Sequence, residues 1–193
     1  MLKTKKEEIL EVARKVFAYY GYRSTTIEKI AEELRKSKTV IYHYFKDKFH
    51  LFKEVIEYEA EKIKEYIINE IKNVNDPIDK LKVYVIVRMK MLKELTNFYQ
   101  ALKKEYFDNL PEIIEIRKKF DLDELKIIEK ILKEGKRKKI LTIKHLRLTA
   151  LAILSAIKGL EQPLLLKKYK IESLINYFFE ILCYGILAQK NAK

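Results

Sequence analysis

Apolar residues recur at three- and four-residue intervals along most of the chain, as in Ile9, Val12, Ala13, Val16 and Phe17. No stretch alternates as a half-buried strand does. The pattern predicts an all-α protein of about nine helices. The first runs from about residue 4 to 20 and stops at Gly21, which can take the positive φ of a residue just past a helix end. A second starts at Thr25 or Thr26, with Thr25 and Glu28 at capping-box spacing, and buries Ile27, Ile30, Ala31 and Leu34. Residues 34–37 make a tight turn, and Ser37 is a natural N-cap for a very short third helix that ends near Tyr44.

Asp47 can cap a long fourth helix, whose stripe is Phe49, Phe52, Val55, Ile56, Ala60, Ile63, Ile67 and Ile71. Residues 73–77 (NVNDP) are a break, with Asp76 as cap and Pro77 as first helical residue. Further helices are expected to about Leu95, from Thr96 or Asn97 to Tyr106, and from Pro111 to Glu134, the last closed by Gly135. After the basic connector KRKKILTIKH come two more, over about 143–161, stopped by Gln162-Pro163, and over about 171–189. The natural division is a small module, residues 1–47, and a larger helical body, residues 48–193.

Charge changes the picture in one place. The chain carries a formal net charge of +13, which suits a polyanionic partner but equally a Lys- and Glu-rich, heat-adapted surface. Between Arg35 and Lys48, however, five cations face one anion, Asp47. That local excess favours phosphate contact. Cys183 is the only cysteine, so no intrachain disulfide forms and a reducing interior is expected. Leu2 is followed by KTKKEE with no apolar signal core, and LTALAILSAIKGL is too short to span a bilayer. A cytoplasmic protein without a membrane partner is expected.

The short third helix holds the chemistry. Lys38 and Thr39 stand at its start, where a recognition helix touches base edges. Tyr42 lies one turn on from Lys38, on the same face, with His43 beside it. Val40 belongs to the same segment, while Ile41 and Phe45 are spaced for the core. Tyr44 and Lys48 are placed for phosphates. Thr25 and Thr26 bring hydroxyls and free backbone N–H groups to a helix start. Arg35, Lys36 and Ser37 in the turn complete the expected DNA-contacting set. His43, His50 and His145 lack metal-ligand spacing, so no metal and no cofactor are expected. No Gly-rich phosphate loop or nucleophile–base set supports an enzyme.

The stretch from Ile9 to Ile56, with ILEVARKVFAYYGY, TTIEKIAEEL and SKTVIYHYFKDK followed by Leu51 and Phe52, resembles the N-terminal DNA-binding domain of the TetR family of transcriptional regulators. The resemblance implies three DNA-binding helices and a body that senses a ligand and dimerises. It departs at the turn. The family usually has Ala-Gly-Val-Ser where this chain has Leu34-Arg35-Lys36-Ser37. Arg35 in the left-handed conformation that the glycine supplies would cost roughly 1 kcal/mol, and the stem of Lys36 must snorkel out.

In the body, large aromatics are routine core residues, yet some suit a ligand cavity. Tyr84, Arg88, Met91, Phe98, Tyr106 and Phe120 are the candidates. Arg88 interrupts the apolar run VYVIVRMKML, where it either meets an acidic group of the ligand or snorkels. Val85, Met89 and Leu92 around it suggest a hydrophobic effector. The last two helices are too apolar for a solvated chain end. Small residues Ala152, Ser155, Ala156 and Gly159 allow close helix approach, and Ile171, Leu174, Ile175, Phe178 and Leu182 form a second stripe. The resemblance implies that these helices build a homodimer interface, setting two recognition helices about 34 Å apart on a palindromic DNA operator. The expected function is a ligand-responsive DNA-binding repressor released by a small hydrophobic effector. The alternative is a helical interaction protein with non-specific or vestigial DNA binding.

Overall fold

The computed structural model describes residues 4–95, 111–165 and 171–184. Among them are eight helices: α1 (Lys5–Ser24), α2 (Ile27–Glu33), α3 (Lys38–Tyr44), α4 (Lys48–Lys72), α5 (Pro77–Glu94), α6 (Pro111–Arg137), α7 (Leu146–Leu165) and α8 (Ile171–Tyr184). The all-α expectation holds. The short helix expected between residues 96 and 106 lies outside the described residues. No described helix is long and apolar enough to cross a membrane.

Local chemistry sets the boundaries. Thr4 caps α1 through a full capping box, with Glu7 N–H donating to Thr4 Oγ1 at 3.2 Å and Thr4 N–H donating to Glu7 Oε2 at 2.8 Å. Gly21 takes φ 75° and kinks the helix, which then regains one last turn to Ser24. Asp47 and Asp76 are caps as expected. His50 N–H donates to Asp47 Oδ1 at 2.8 Å, and Ile78 and Asp79 N–H donate to Asp76 Oδ1 at 2.8 and 3.0 Å.

The chain gathers into two compact units, Met1–Glu65 with Leu92–Leu122, and Tyr66–Met91 with Asp123–Lys193. The first has a core of Ile9, Leu10, Ala13, Val16, Phe17, Ile27, Ile30, Leu34, Ile41, Phe45, Leu51, Phe52, Val55 and Ile56, all buried. Phe52 of α4 meets Phe17 edge-on at 5.0 Å and Tyr22 at 4.8 Å, joining α4 to both ends of the α1 kink. Below them the Tyr58 hydroxyl donates to Glu11 Oε1 at 2.6 Å, and Lys62 pairs with the same oxygen. Burial raises the Glu11 pKa, but the Lys62 and Tyr58 bonds outweigh it and hold the group at about 2.

The second unit is built on Leu81, Tyr84, Val85, Leu125, Ile128, Ile131, Leu132, Ala150, Ile153, Leu154, Ile157, Ile175 and Phe179. Two boundaries here differ from expectation. α6 does not close at Gly135 but passes through it to Arg137. The left-handed residue is Lys139, φ 59°, with Lys139 N–H donating to Lys136 O and Ile140 N–H to Gly135 O. Gly135 is needed for packing instead: a Cβ there would lie 2.5 Å from Leu141 Cδ1 and 3.2 Å from Pro77 Cβ. α7 also continues through Pro163 to Leu165. A proline in the last turn removes one N–H donor, which shortens the bond ladder without ending the helix here.

Candidate nucleic-acid interface

α2 and α3 are seven residues each, too short to stand alone in water. They persist because Ile27, Ile30, Ala31, Leu34 and Ile41 sink one face of the pair into the core. The turn between them is a complete Schellman motif. Lys36 N–H donates to Ala31 O at 3.0 Å and Arg35 N–H to Glu32 O at 2.9 Å. Arg35 closes it in the left-handed conformation, φ 53°. An arginine therefore holds the conformation that usually falls to glycine, and its side chain projects into solvent.

That turn delivers α3 with Lys38, Thr39, Tyr42 and His43 all exposed, and Val40 and Tyr44 half-buried. Tyr42 leaves about half of its surface open. The His43 ring stands edge-on to Tyr44, with centroids 5.0 Å apart. Ile41 and Phe45 are buried as their spacing predicts. Ser37 sits at the N-cap position, but its side chain makes no capping hydrogen bond.

Several cations of this face have internal partners. Lys36 reaches Glu8 of α1 at 2.8 Å, and Lys38 reaches Glu28 of α2 at 3.0 Å. The Glu28 pKa is lowered by its own backbone N–H and then by Lys38, while the Glu28 bond raises that of Lys38. Glu28, Ala31, Glu32, Arg35, Lys36, Ser37 and Lys38 line an open hollow of about 410 Å³ at the turn.

Two expected contacts need correction. Thr25 is fully buried, and its hydroxyl donates to Gly21 O at 2.8 Å, so its side chain ties the α1 kink down rather than meeting DNA. The cap of α2 is Thr26, which is exposed and accepts from Lys29 N–H at 3.3 Å; the Thr25–Glu28 box does not form. Lys48 is turned inward from the phosphate role as well. Its Nζ donates to the carbonyl oxygens of Tyr22 and Thr25, each at 3.0 Å, where the end of α1 leaves carbonyls for a cation to fill.

Of the body candidates, Tyr84, Arg88 and Met91 are buried in the second unit and Phe120 in the first. Phe98 and Tyr106 lie outside the described residues. Arg88 neither snorkels nor waits for an acidic ligand. Its Nη2 donates to Glu124 Oε2 at 3.0 Å, its Nε to Glu124 Oε1, and the Tyr84 hydroxyl to that oxygen at 2.6 Å. Glu124 was not among the sequence candidates. The signal was present, because Phe120, Glu124 and Ile128 follow at four-residue steps and place a carboxylate within an apolar stripe. Among the described residues no cluster of His, Cys, Asp and Glu is arranged for a metal ion.

At the end of the chain, Ala152, Ser155, Ala156 and Gly159 all lie on the exposed face of α7, beside Leu148, which is 63% exposed. Leu182 is exposed on α8, and Leu174 and Phe178 are half-buried. Ile175 is a correction. It has no exposed surface and packs within its own unit, leaving nothing for a partner. The Ile171 side chain lies outside the described residues.

Residues 9–55 match the family model for bacterial regulatory proteins of the tetR family. The HTH-type transcriptional repressor AcnR of Corynebacterium diphtheriae is 36% identical over 66 residues, 34% of this chain and 35% of that protein. The chain thus aligns with about a third of that relative's length. Solved structures extend the likeness of fold along the chain. The transcriptional regulator FadR from Bacillus subtilis in complex with stearoyl-CoA superposes with TM-score 0.75 at 23% identity, covering 95% of this chain and 100% of that one. The fatty acid degradation regulator FadR from Bacillus halodurans gives TM-score 0.74 at 22% identity, with coverages of 96% and 98%. Residues 9–55 are thus similar to the regulatory module of the bacterial tetR family, and over the rest of the chain the likeness is one of fold.

Proposed function

We propose that the protein is a transcriptional repressor that acts as a cytoplasmic homodimer, reads a palindromic duplex and leaves it when a hydrophobic effector binds the body. The observation that carries this reading is the α2–turn–α3 unit. A left-handed turn sets Lys38, Thr39, Tyr42 and His43 outward on a helix whose other face is locked into the core. Residues 1–47 are the reader and residues 48–193 the sensing and dimerising body. The Thr26 hydroxyl and the Arg35 and Lys36 side chains flank the reading helix and serve phosphates. The exposed apolar face of α7 and α8 supports self-association, since such a face is unfavourable in water. Tyr84 and Met91 of the second unit are candidates for the effector lining. A long-chain acyl-CoA is the first compound to test, because the Bacillus subtilis relative holds stearoyl-CoA.

α4 contributes residues to both compact units. It is the proposed link by which effector and DNA weaken each other's binding reciprocally. The test is selection of duplexes from a random pool, then affinity for selected and random DNA at two salt concentrations. A two-fold symmetric site with half-sites about one DNA turn apart supports the reading. A steep salt slope with no sequence preference establishes non-specific binding instead. Saturating effector that leaves the affinity for selected DNA unchanged refutes the coupling.

A further inference from the structure

Glu28 stands in the first turn of α2 and Lys38 is the first residue of α3. The Lys38 Nζ donates to Glu28 Oε1 at 3.0 Å, and both side chains are more than half exposed. A carboxylate in that position does not help a protein hold phosphates. It neutralises the cation that starts the reading helix, and it repels the backbone if that cation moves away. Lys36 is likewise occupied, by Glu8 at 2.8 Å. The reading face therefore spends part of its positive charge internally, which weakens binding to any sequence.

The same pair has a match on a base edge. In the major groove a G·C pair presents two acceptors, guanine N7 and O6, followed by one donor, the cytosine N4 amine. An ammonium and a carboxylate side by side complement that order, Lys38 on guanine and Glu28 on cytosine. An A·T pair places its donor between two acceptors and ends in a methyl group. A carboxylate on that donor meets the thymine O4 acceptor on its far side, which disfavours the fit. We propose that Glu28 and Lys38 act as one specificity-determining unit that reads a G·C base pair in each half-site. The inference rests on the DNA-reading function proposed above.

The experiment compares the full-length protein with Glu28→Gln, Lys38→Met and the double variant. Each is used to select duplexes from a random pool, and binding to selected and random DNA is measured against salt. The wild-type pool is expected to fix one G·C pair per half-site. Glu28→Gln should lower the preference for that pair about tenfold. It should also bind random DNA more tightly, with the log–log salt slope steeper by about one, because Lys38 is freed for a phosphate. Lys38→Met should lose the same preference, and the double variant should lose no more than either single change. All variants should melt as the wild type does, since an exposed ion pair contributes little to folding. A Glu28→Gln protein that keeps the G·C preference, or that loses specific and random binding alike, overturns the inference and leaves the regulator reading intact. A wild-type pool with no fixed bases overturns both.

Discussion

The Lys48 ammonium sits 4.5 Å from the centre of the Tyr22 ring and donates to the Tyr22 carbonyl oxygen at 3.0 Å. It donates also to Thr25 O, so one cation from the first turn of α4 closes the end of α1. Lys48 is thereby a joint of the reading module as well as a basic residue near it. Replacing it with methionine keeps the stem and removes the head. Lys48→Met should destabilise the fold by about 1.5–3 kcal/mol, the scale of hydrogen bonds made by a charged group. Urea unfolding followed by circular dichroism measures this. An unchanged midpoint with weakened DNA binding would return Lys48 to the phosphate role.

Arg35 gives the second prediction. Its φ of 53° places a Cβ where the chain disfavours one. Arg35→Gly removes that strain, while glycine's larger unfolded-state entropy takes part of the gain back. A net stabilisation of roughly 0.5 kcal/mol is expected from the balance of the two effects. The substitution also removes a cation from the turn, so binding to random DNA should weaken and its salt slope should flatten. Thermal melts and salt titrations of one variant report both. A destabilised Arg35→Gly would mean that the arginine side chain holds the turn by contacts worth more than the backbone strain.

The two residues also mark what the sequence could and could not disclose. Ile41 and Phe45 are legible because periodicity encodes a face, and the faces of α1 to α4 follow from it. The need for a left-handed residue at position 35 is legible only from the resemblance, since arginine itself carries no preference for positive φ. The role of Lys48 is hidden for another reason. Its partners are backbone carbonyls of residues 22 and 25, and any residue type supplies a carbonyl. Thr25 looked like a cap for the same reason that Thr26 is one, because both hydroxyls precede the apolar run. The kink at Gly21 decides between them by turning Thr25 inward. Glu124 was within reach of inference, as the only way to bury Arg88 without an unpaired charge is to bury an acid with it.

Acid sensitivity follows from Glu134, which accepts from Lys80 at 2.6 Å and pairs with Lys138 at 2.8 Å. The Lys138 bond, then the Lys80 bond, hold its pKa at about 2, against an ordinary 4.5. The folded-state value is depressed, so its contribution is complete above pH 4.5 and is lost as pH falls toward 2. Melting temperatures measured across that window should fall more steeply for the wild type than for Glu134→Gln. Parallel curves would show that the carboxylate titrates alike in the folded and unfolded chains.

The triad of Tyr84, Arg88 and Glu124 makes the largest single prediction. All three residues are essentially without exposed surface. Burial, then the nearby Glu124 charge, pushes the Tyr84 hydroxyl well above its usual 10, so it remains a donor to the carboxylate at any pH the protein meets. Removing one charge leaves the other buried without its counterion. Glu124→Leu should therefore destabilise the fold by about 3–5 kcal/mol. Arg88→Met with Glu124→Leu removes both charges, and it should recover most of that loss, because two apolar side chains of similar size need no counterion. A denaturant cycle over the wild type, both single variants and the double variant measures the coupling. If the double variant loses the sum of the two single losses, Arg88 and Glu124 contribute through separate neighbours. If it recovers, the body spends its buried arginine on its own acid, and an effector that stabilises the double variant as well as the wild type is recognised by its apolar part.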